Sequence, residues 1–363
     1  MENKLLNVIG LMSGTSMDGI DISLVKTNGN NLYRLNENYF FPYSQNLKNK
    51  LKKYLSSIDE FRDFKDELNK SLTIEFIEAL KKTNIVESAQ LIGFHGQTIY
   101  HNPDKKISVQ LGDPLLLANT FKKKVIFNFR KRDILKGGQG APISPIYHKF
   151  IIHENNLSLP SCVINIGGIS NLTYWCGEKL ISFDTGPGNF MIDKYVNETF
   201  NMDYDYNGNL AKKGKVNNFF LKKFLASSFF QKSFPKSLDV EFFTKIYLEI
   251  KNANLDPINV IATLTEMTLS TLVLGINMLP QKPKNIILCG GGANNLYLVK
   301  KLKKLANSSF FDLNKISHDL TSFLEAEMIA YLAARSYYNL PITFPSTTGV
   351  SKPSSGGELF FSL

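Results

Sequence analysis

The feature that most constrains the fold of this chain is a strand–turn–strand pattern that occurs once in each half. In the first half, the apolar residues 5–10 predict a buried strand, and the turn that follows at 13–19 is rich in glycine, serine and threonine. Residues 20–25 alternate apolar and polar side chains, which predicts a second strand and a hairpin. A third strand is predicted at 32–43, and two helices and a strand that starts at 91 complete this half.

The second half repeats that order. Residues 161–166 predict a strand that runs into Gly167 and Gly168, residues 172–175 predict its hairpin partner, and residues 179–183 predict a third strand. Helices follow, and a late strand then meets three consecutive glycines. The repetition predicts an α/β fold in two duplicated domains with a cleft between them.

The length of the chain, 363 residues, fits two domains. Because the apolar pattern is interrupted between 151 and 161, we expect an N-terminal domain at 1–155 and a C-terminal domain at 156–345. Residues 346–363 are predicted to form a loop and a tail that returns to the N-terminal domain, since 345–357 are rich in Ser, Thr, Gly and Pro.

The charge balance raises the question of an anionic partner. There are 42 Lys and Arg residues against 32 Asp and Glu, a net charge of +10, which can indicate a nucleic acid or an anionic surface. Only Arg34, Arg62, Arg130, Arg132 and Arg335 are Arg, and no basic stripe alternates with aromatic residues. We therefore expect no nucleic-acid or membrane partner, and a solvated lysine surface.

The three cysteines, Cys162, Cys176 and Cys289, have no Cys-x-x-Cys spacing and predict reduced thiols. They form no recognisable zinc cluster with the histidines. No signal peptide is expected, and no apolar run approaches the roughly 18 residues of a membrane span. The sequence therefore predicts a cytoplasmic protein.

The turn at 13–21 has the composition of a phosphate-binding loop. Small residues let backbone N–H groups approach a phosphate closely, and the hydroxyl groups of Ser13, Thr15 and Ser16 add donors. Asp18 could hold Mg²⁺ directly or through water, since Mg²⁺ prefers oxygen ligands and retains water. The alternative is a hairpin with ordinary turn chemistry, and the Gly-Lys-Ser/Thr of a Walker A loop is absent.

A second turn of this kind, Asp-Thr-Gly-Pro-Gly-Asn at 184–189, ends the third strand of the second half. Asp184 could act as a base or as an indirect ligand of Mg²⁺. It could also form an Asx turn without chemistry. Because one such turn opens each half, we expect the two to form a facing pair.

Three further segments are candidate ligand contacts. The glycines at 290–292 leave room for a flat ligand such as adenine or ribose, although glycine-rich turns before helices are common. The loop at 137–148 is dense in glycine and proline, and Arg130 or Arg132 before it could meet an anionic group or lie in an exposed basic turn. His95 could contact a sugar hydroxyl or be a buried, hydrogen-bonded structural residue.

Together these turns resemble those of anhydro-N-acetylmuramic acid kinases. Seven motifs occur in the order seen in that family and span nearly the whole chain. They are Gly-Thr-Ser-Met-Asp-Gly-Ile-Asp at 14–21, Gly-Phe-His-Gly-Gln-Thr at 93–98, Gln-Leu-Gly-Asp-Pro at 110–114, Gly-Gly-Gln-Gly-Ala-Pro at 137–142, Asn-Ile-Gly-Gly-Ile-Ser-Asn at 165–171, Phe-Asp-Thr-Gly-Pro-Gly-Asn at 183–189 and Gly-Gly-Gly-Ala-Asn at 290–294.

The resemblance implies a fold and a reaction. The fold is the duplicated, ribonuclease H-like fold of the actin, hexokinase and heat-shock chaperone ATPases. The family uses ATP and Mg²⁺, opens the internal ring of 1,6-anhydro-N-acetylmuramic acid with water, and phosphorylates O6. The products are N-acetylmuramic acid 6-phosphate and ADP, in the recycling of peptidoglycan (murein) sugars. The resemblance also implies a homodimer.

The resemblance also implies roles for individual residues. Asp184 matches the catalytic carboxylate that activates the water, and Asp18 is the candidate Mg²⁺ residue. The candidate ATP-binding residues are Gly14, Thr15, Ser16, Met17, Asp18, Gly19, Ile20, Asp21, Gly186, Gly188, Asn189, Gly290, Gly291, Gly292 and Ala293. The candidate substrate-binding residues are His95, Gln97, Arg130 and Glu325.

Two features of the sequence leave alternatives open. Glu325 matches a family Glu on a C-terminal helix but could be a solvated helix residue, and Glu327, two positions on, is expected to be solvated. Where the family usually reads Thr-Gly-Arg, this chain has Leu238, Asp239 and Val240, so any contact made by that Arg is in doubt.

Two other functions share the same turns. A related sugar kinase that acts on an ordinary hydroxyl would need the same nucleotide site. A non-catalytic, actin-like nucleotide-binding module is also conceivable, but the loop at 137–148 and the Asp184 turn argue against it, since a filament needs no sugar site.

Overall fold

The computed structural model describes residues 3–14, 17–55, 61–102, 105–317 and 320–362. Two of the predicted ATP-binding residues, Thr15 and Ser16, lie outside this part of the chain.

The predicted strands and helices occur in the expected order, and the structure adds further elements between and after them. The strands are β1 (Leu6–Ser13), β2 (Gly19–Thr27), β3 (Leu32–Pro42), β4 (Leu91–Asn102), β5 (Ile107–Leu111), β6 (Lys124–Phe127), β7 (Ser161–Ile166), β8 (Ile169–Trp175), β9 (Leu180–Pro187), β10 (Asn285–Cys289), β11 (Ser309–Phe311) and β12 (Glu358–Phe360). The helices are α1 (Gln45–Leu55), α2 (Phe61–Lys81), α3 (Pro114–Phe121), α4 (Lys131–Leu135), α5 (Pro145–Glu154), α6 (Phe190–Phe200), α7 (Asn218–Leu225), α8 (Glu241–Lys251), α9 (Pro257–Asn277), α10 (Leu296–Ala306), α11 (Leu320–Tyr337) and α12 (Pro345–Thr348).

The chain divides into two compact units. The first unit comprises Met1–Tyr147 and Ser317–Leu363, and the second comprises His148–Ile316. The first boundary lies inside α5, a few residues before the predicted position. The second lies before α11 instead of at 345, because α11 packs against β1, β2 and β4 of the first unit.

The sheet of the first unit has seven strands in the order β12-β6-β4-β1-β2-β3, with β5 paired to β4. The strands β1, β2 and β3 form antiparallel pairs, whereas β1 and β6 run parallel to β4. The core beside this sheet includes Phe76, Phe94 and Phe127, whose neighbouring ring centroids are 4.9 and 5.2 Å apart. The C-terminal strand β12 pairs with β6, so the tail belongs to this sheet.

The sheet of the second unit has five strands in the order β11-β10-β7-β8-β9. The strands β7, β8 and β9 form antiparallel pairs, and β10 runs parallel to both β7 and β11. This order and these directions match those of β6-β4-β1-β2-β3 in the first unit. The predicted duplication of the α/β plan is confirmed.

The helix α9 is the centre of the second unit. Within the described ranges it is the one helix long and apolar enough to cross a membrane, and 67% of its most apolar stretch is buried in the unit. Its first turn is capped by Asp256, whose carboxylate accepts the backbone N–H of Ile258 at 2.8 Å, and Pro257 stands at the first helical position. Its burial identifies α9 as a core helix.

The helix α11 lies unusually close to the sheet of the first unit. A Cβ atom on Gly10 would lie 1.9 Å from the carbonyl oxygen of Ala326, and one on Gly93 would lie 2.7 Å from that of Ile329. The two glycines are register partners on the parallel strands β1 and β4. Only glycine at these positions lets the helix backbone approach the strands, and this approach fixes the position of Glu325.

Candidate active site

The turn after β1 is stabilised by the buried side-chain amide of Gln97. The Ser13 hydroxyl donates to Gln97 Oε1 at 2.7 Å, and Gln97 Nε2 donates to the carbonyl oxygen of Gly14 at 3.1 Å. Met17 has a φ of 56° and its N–H donates to the same carbonyl at 3.2 Å, which closes the turn. Gln97 is 0% exposed, so it supports the turn and does not line its surface.

The turn leads into β2, and two aspartates, Asp18 and Asp21, lie at this junction. The carbonyl oxygen of Asp18 accepts the N–H of Tyr43 at 3.1 Å. A Cβ atom on Gly19 would lie 2.2 Å from the carbonyl oxygen of Phe41, so a side chain there would push β2 away from β3. Asp21 follows on β2 as a half-buried carboxyl group.

The carboxyl group of Asp21 is affected by burial and by two neighbouring carboxylates. Burial first, and then the negative charges of Glu325 and Asp18, raise the pKa of Asp21 to about 7. Glu325 of α11 therefore lies close enough to act electrostatically on Asp21, a position that the sequence did not indicate. A cation bound here would favour the ionised form of Asp21.

The donor set fits Mg²⁺ held partly by its substrate. Among the residues that the structure describes, no three His, Cys, Asp or Glu side chains form a metal-binding group. Mg²⁺ usually keeps several waters and binds through one or two carboxylates together with phosphate oxygens. Asp18, and Asp21 beside it, can supply such carboxylates.

We expect Asp21→Asn to remove a pH dependence of stability. The pKa of Asp21 is raised from 3.8 to about 7 in the folded chain, so this group favours folding below about pH 4 and that contribution is lost as the pH rises to about 7. The variant should therefore gain Tm relative to the parent at pH 8, by several °C, and the gain should vanish near pH 4. Thermal unfolding between pH 4 and 8 without nucleotide tests this, and a pH-independent difference between the two proteins would contradict it.

His95 is buried behind Arg130. Its Nε2 accepts from the Arg130 guanidinium at 3.2 Å and its Nδ1 faces the carbonyl oxygen of Gly96 at 3.1 Å. Burial and the charge of Arg130 lower the pKa of His95 to about 3, so the ring is neutral. Arg130 also donates to the carbonyl oxygen of Gly140 at 2.9 Å. Of the two alternatives for His95, the structure favours the buried, hydrogen-bonded residue that positions Arg130.

The glycine-rich loop after Arg130 is built around Asp133, which the sequence did not single out. This buried carboxylate accepts the N–H of Gly140 and the hydroxyl of Thr348, both at 2.7 Å. A Cβ atom on Gly138 would lie 2.2 Å from Asp133 Oδ2, so the loop wraps the carboxylate closely. Arg132 is exposed and donates to Ser355 Oγ at 2.7 Å, as in the alternative of an exposed basic turn.

Asp184 of β9 is fixed on two sides by one segment. Its backbone N–H donates to the carbonyl oxygen of Lys236 at 2.9 Å, and its Oδ2 accepts the backbone N–H of Leu238 at 2.8 Å. The residue as a whole is 8% exposed. Because Leu238 contributes its backbone, the departure from the family's Thr at this position leaves the contact to Asp184 in place.

The turn after Asp184 packs against the turn between β7 and β8. The N–H of Gly188 donates to the carbonyl oxygen of Gly168 at 2.9 Å, and that of Asn189 to Gly167 at 2.7 Å. A Cβ atom on Gly188 would lie 2.0 Å from the Gly167 carbonyl oxygen. Two motifs that are about 20 residues apart in sequence therefore form one surface.

The glycines after β10 join this surface. Gly290 has a φ of 77°, and a Cβ atom there would meet Asn165 Oδ1 at 2.2 Å. A Cβ on Gly292 would meet Ile166 at 2.3 Å, whereas the nearest atom to one on Gly291 is Asn189 Nδ2 at 3.8 Å. Gly291 is exposed, so its backbone is open to a flat ligand. The second unit thus brings three predicted motifs together.

The sequence predicts that the helix after these glycines starts at Leu296 with Asn294 as its cap, and the helix does start at Leu296. Residues 291–294 form a short 3₁₀ turn, so Asn294 lies within it. Asn295 caps α10 instead, its side chain accepting the N–H of Leu298 at 3.1 Å.

Two predicted ATP-binding residues contribute packing. Ile20 belongs to the core of the first unit. Gly186 lies against α9, where a Cβ atom would be 2.3 Å from Thr271 Oγ1. At both positions only the backbone remains for a nucleotide contact.

The prediction that Glu327 is solvated is wrong. Glu327 is 3% exposed, and its Oε1 accepts from the Arg34 guanidinium at 2.7 Å and from the Tyr147 hydroxyl at 2.5 Å. The reason is that α11 is buried on several faces. A residue two positions beyond Glu325 therefore faces the interior as well, and does not reach solvent.

Comparisons with known proteins agree with the family resemblance of the motifs. The sequence profile of the anhydro-N-acetylmuramic acid kinase family matches residues 6–362. Anhydro-N-acetylmuramic acid kinases of Pelagibacter ubique and Zymomonas mobilis are 36% and 38% identical. The matches cover 98% of both chains in the first case, and 97% of this chain and 99% of the relative in the second.

A solved structure is also similar over most of the chain. It is component A of the (R)-2-hydroxyglutaryl-CoA dehydratase of Acidaminococcus fermentans, with a TM-score of 0.48, covering 92% of this chain and 99% of that one. At 11% identity this likeness says nothing about the site.

Proposed function

This chain belongs to the anhydro-N-acetylmuramic acid kinase family, and we propose that it performs that family's reaction in full. It opens the ring of 1,6-anhydro-N-acetylmuramic acid with water and transfers the γ-phosphoryl group of ATP to O6. The observation that carries this proposal is the buried Asp184, whose Oδ2 accepts the N–H of Leu238 in a strand that runs into a glycine-rich turn.

Asp184 is the proposed base of the reaction. The water oxygen bonds to C1 of the sugar as the C1–O6 bond breaks, and O6 bonds to the γ-phosphorus as its bond to ADP breaks. The water proton passes to Asp184. Anchoring Oδ2 on the N–H of Leu238 fixes the direction in which Oδ1 points, and general-base help of this kind contributes roughly 10²–10⁴-fold.

The first unit supplies the proposed phosphate and Mg²⁺ contacts. The backbone of Gly14, Asp18 and Gly19 forms the turn that approaches the phosphates, with Asp18 holding Mg²⁺ directly or through water. When bound, Mg²⁺ neutralises the charge of the phosphate oxygens. Asp21 carries the raised pKa that a nearby cation would lower.

Arg130 and Glu325 are proposed to contact the sugar. Arg130 is oriented by His95 and by the Gly140 carbonyl, and its guanidinium suits the carboxylate of a sugar acid. Glu325, which acts electrostatically on Asp21, is proposed to hydrogen-bond the sugar. His95 and Gln97 act through Arg130 and through the turn, respectively.

The second unit supplies the proposed nucleoside contact. Gly188, Asn189 and the glycines at 290–292 form the surface on which the nucleoside would lie. We expect Gly291→Ala to raise the KM for ATP by about 3- to 10-fold, because a methyl group would stand on the open backbone, with little change in kcat or Tm. Steady-state kinetics at varied ATP measures this, and an unchanged KM would contradict the placement of the nucleoside.

The assembly and location of the protein are also proposals. We propose a homodimer in the cytoplasm with no nucleic-acid partner. Sedimentation of the purified protein tests the dimer, and a monomer at micromolar concentration would contradict it.

The proposed function is tested by product identity. Purified protein is incubated with ATP, Mg²⁺ and 1,6-anhydro-N-acetylmuramic acid, and the products are analysed by mass spectrometry and phosphorus NMR. N-acetylmuramic acid 6-phosphate is expected. Failure to form it where an established relative succeeds would contradict the proposal, and phosphorylation of ordinary sugars alone would favour the general sugar kinase.

A further inference from the structure

Lys236 is a buried lysine close to the candidate base. Its side chain lies in the interior of the second unit, and the residue is 6% exposed. Its ammonium donates to the carbonyl oxygen of Phe229 at 3.1 Å and faces the sulfur of Met278 at 3.5 Å. It also lies over the ring of Phe229, 4.7 Å from the centroid, and 5.7 Å from that of Phe183.

The burial of the Lys236 ammonium requires a structural explanation. In the part of the chain that the structure describes, no carboxylate forms an ion pair with Lys236. Burial, and then the charge of Lys232, lower the pKa of Lys236 to about 8. Burying an ammonium without a carboxylate is unfavourable, and a long apolar side chain would fill the same space.

The backbone around Lys236 is the segment that holds Asp184. The carbonyl oxygen of Lys236 accepts the N–H of Asp184, and the N–H of Leu238 donates to its carboxylate. Ser237 stands between these two residues, and its buried hydroxyl makes no hydrogen bond to the described residues, so it does not anchor the segment. The polar side-chain anchor of residues 236–238 is the Lys236 ammonium, which donates to the carbonyl oxygen of Phe229.

The residue before Asp184 lies against the same side chain. The ring of Phe183 is beneath the ammonium and stacks on Phe234, with centroids 5.3 Å apart and planes at 12°. Lys236 thus contacts the strand that carries Asp184 as well as fixing the segment that holds it.

We propose that Lys236 is a positioning residue for Asp184, an inference that rests on the proposed role of Asp184 as the base. The bond from Lys236 Nζ to the Phe229 carbonyl fixes the segment at 236–238, and this fixes the direction of the Asp184 carboxylate. Without it the segment keeps the apolar anchor of Leu238 but can shift. A displacement of about 1 Å at a reacting group can reduce the rate by about 10²-fold.

The test compares Lys236→Met with Lys232→Met. Met keeps the length and apolar stem of the side chain and removes the donors, and Lys232 is an exposed lysine whose loss makes the same change in charge. For Lys236→Met we expect kcat to fall by about 10- to 100-fold, with the KM for ATP and for the anhydro sugar within about twofold of the parent. ATP should still bind at the parental stoichiometry and Kd by calorimetry. Lys232→Met should match the parent throughout.

The outcomes separate the possibilities. A parental kcat in Lys236→Met, or a fall in kcat that only follows a fall in ATP-binding stoichiometry, would overturn the inference. If Lys236→Met does not fold, Lys236→Gln keeps a neutral amide with two N–H donors on a shorter side chain, and it is expected to show a smaller loss of kcat. A parental kcat in that variant likewise overturns the inference.

Asp184→Asn, measured beside these variants, distinguishes the two proposals. If it turns over normally, the base assignment fails and this inference fails with it. If it is inactive while Lys236→Met is normal, only the inference about Lys236 fails.

Discussion

Asp184→Asn is expected to reduce kcat by about 10²- to 10⁴-fold and to leave ATP binding unchanged. The amide keeps the shape of the carboxylate, and its oxygen can still accept the N–H of Leu238 that anchors Asp184 at 2.8 Å. An amide cannot take a proton from water at neutral pH. The variant should therefore keep its structure and lose the base.

The measurement pairs turnover with binding. ADP release is followed in a coupled assay, and ATP binding by calorimetry. Asp203→Asn, an exposed change of the same charge in the same unit, serves as the control and should match the parent. A kcat for Asp184→Asn within about threefold of the parent would refute the base, and loss of ATP binding would assign Asp184 to the nucleotide instead.

Gly10→Ala is expected to cause the largest loss of stability of the substitutions considered. The added Cβ would lie 1.9 Å from the carbonyl oxygen of Ala326, and that oxygen belongs to a helix backbone that cannot rotate away. Overpacking of a core typically costs about 1–3 kcal/mol and sometimes more, so we expect at least about 3 kcal/mol here and a fall in Tm of about 10 °C. Moving α11 would also displace Glu325.

Thermal and urea unfolding measure this loss. Gly291→Ala is the matched control, since the nearest atom to its Cβ is 3.8 Å away, and its Tm should equal that of the parent. A Tm for Gly10→Ala within about 2 °C of the parent would contradict the close packing of α11 on β1.

Much of the fold could be predicted because its signals are local. The alternating residues of β2 and the apolar runs of β1 and β7 identify hairpins within about 20 residues of sequence, and their repetition indicates the duplication. The docking of α11 could not be predicted in this way. It depends on Gly10 and Gly93, and a single glycine in a strand gives no indication of which helix packs on it.

For the candidate site too, local features could be predicted and long-range contacts could not. Its turns are visible as motifs, and Asp184 is identified by its place in one of them. Its support is long-range: the bond from Leu238 to Asp184 spans 54 residues and is made by a backbone N–H, which no side-chain pattern marks. His95 and Asp133 show a second limit of prediction from sequence. Whether such polar residues contact a ligand or stabilise a loop depends on their burial, which the sequence does not show.

The central claim, that water opens the anhydro ring as O6 is phosphorylated, is tested most directly with oxygen-18 water. The reaction is run briefly with ATP, Mg²⁺ and 1,6-anhydro-N-acetylmuramic acid, and the product is fragmented by mass spectrometry. Product 6-phosphate kept in the same water without enzyme corrects for exchange at the anomeric carbon. We predict one heavy oxygen at C1 and none at the O6 bridge to phosphorus. A phosphorylated product without heavy oxygen at C1, or with it at O6, would contradict the coupled reaction.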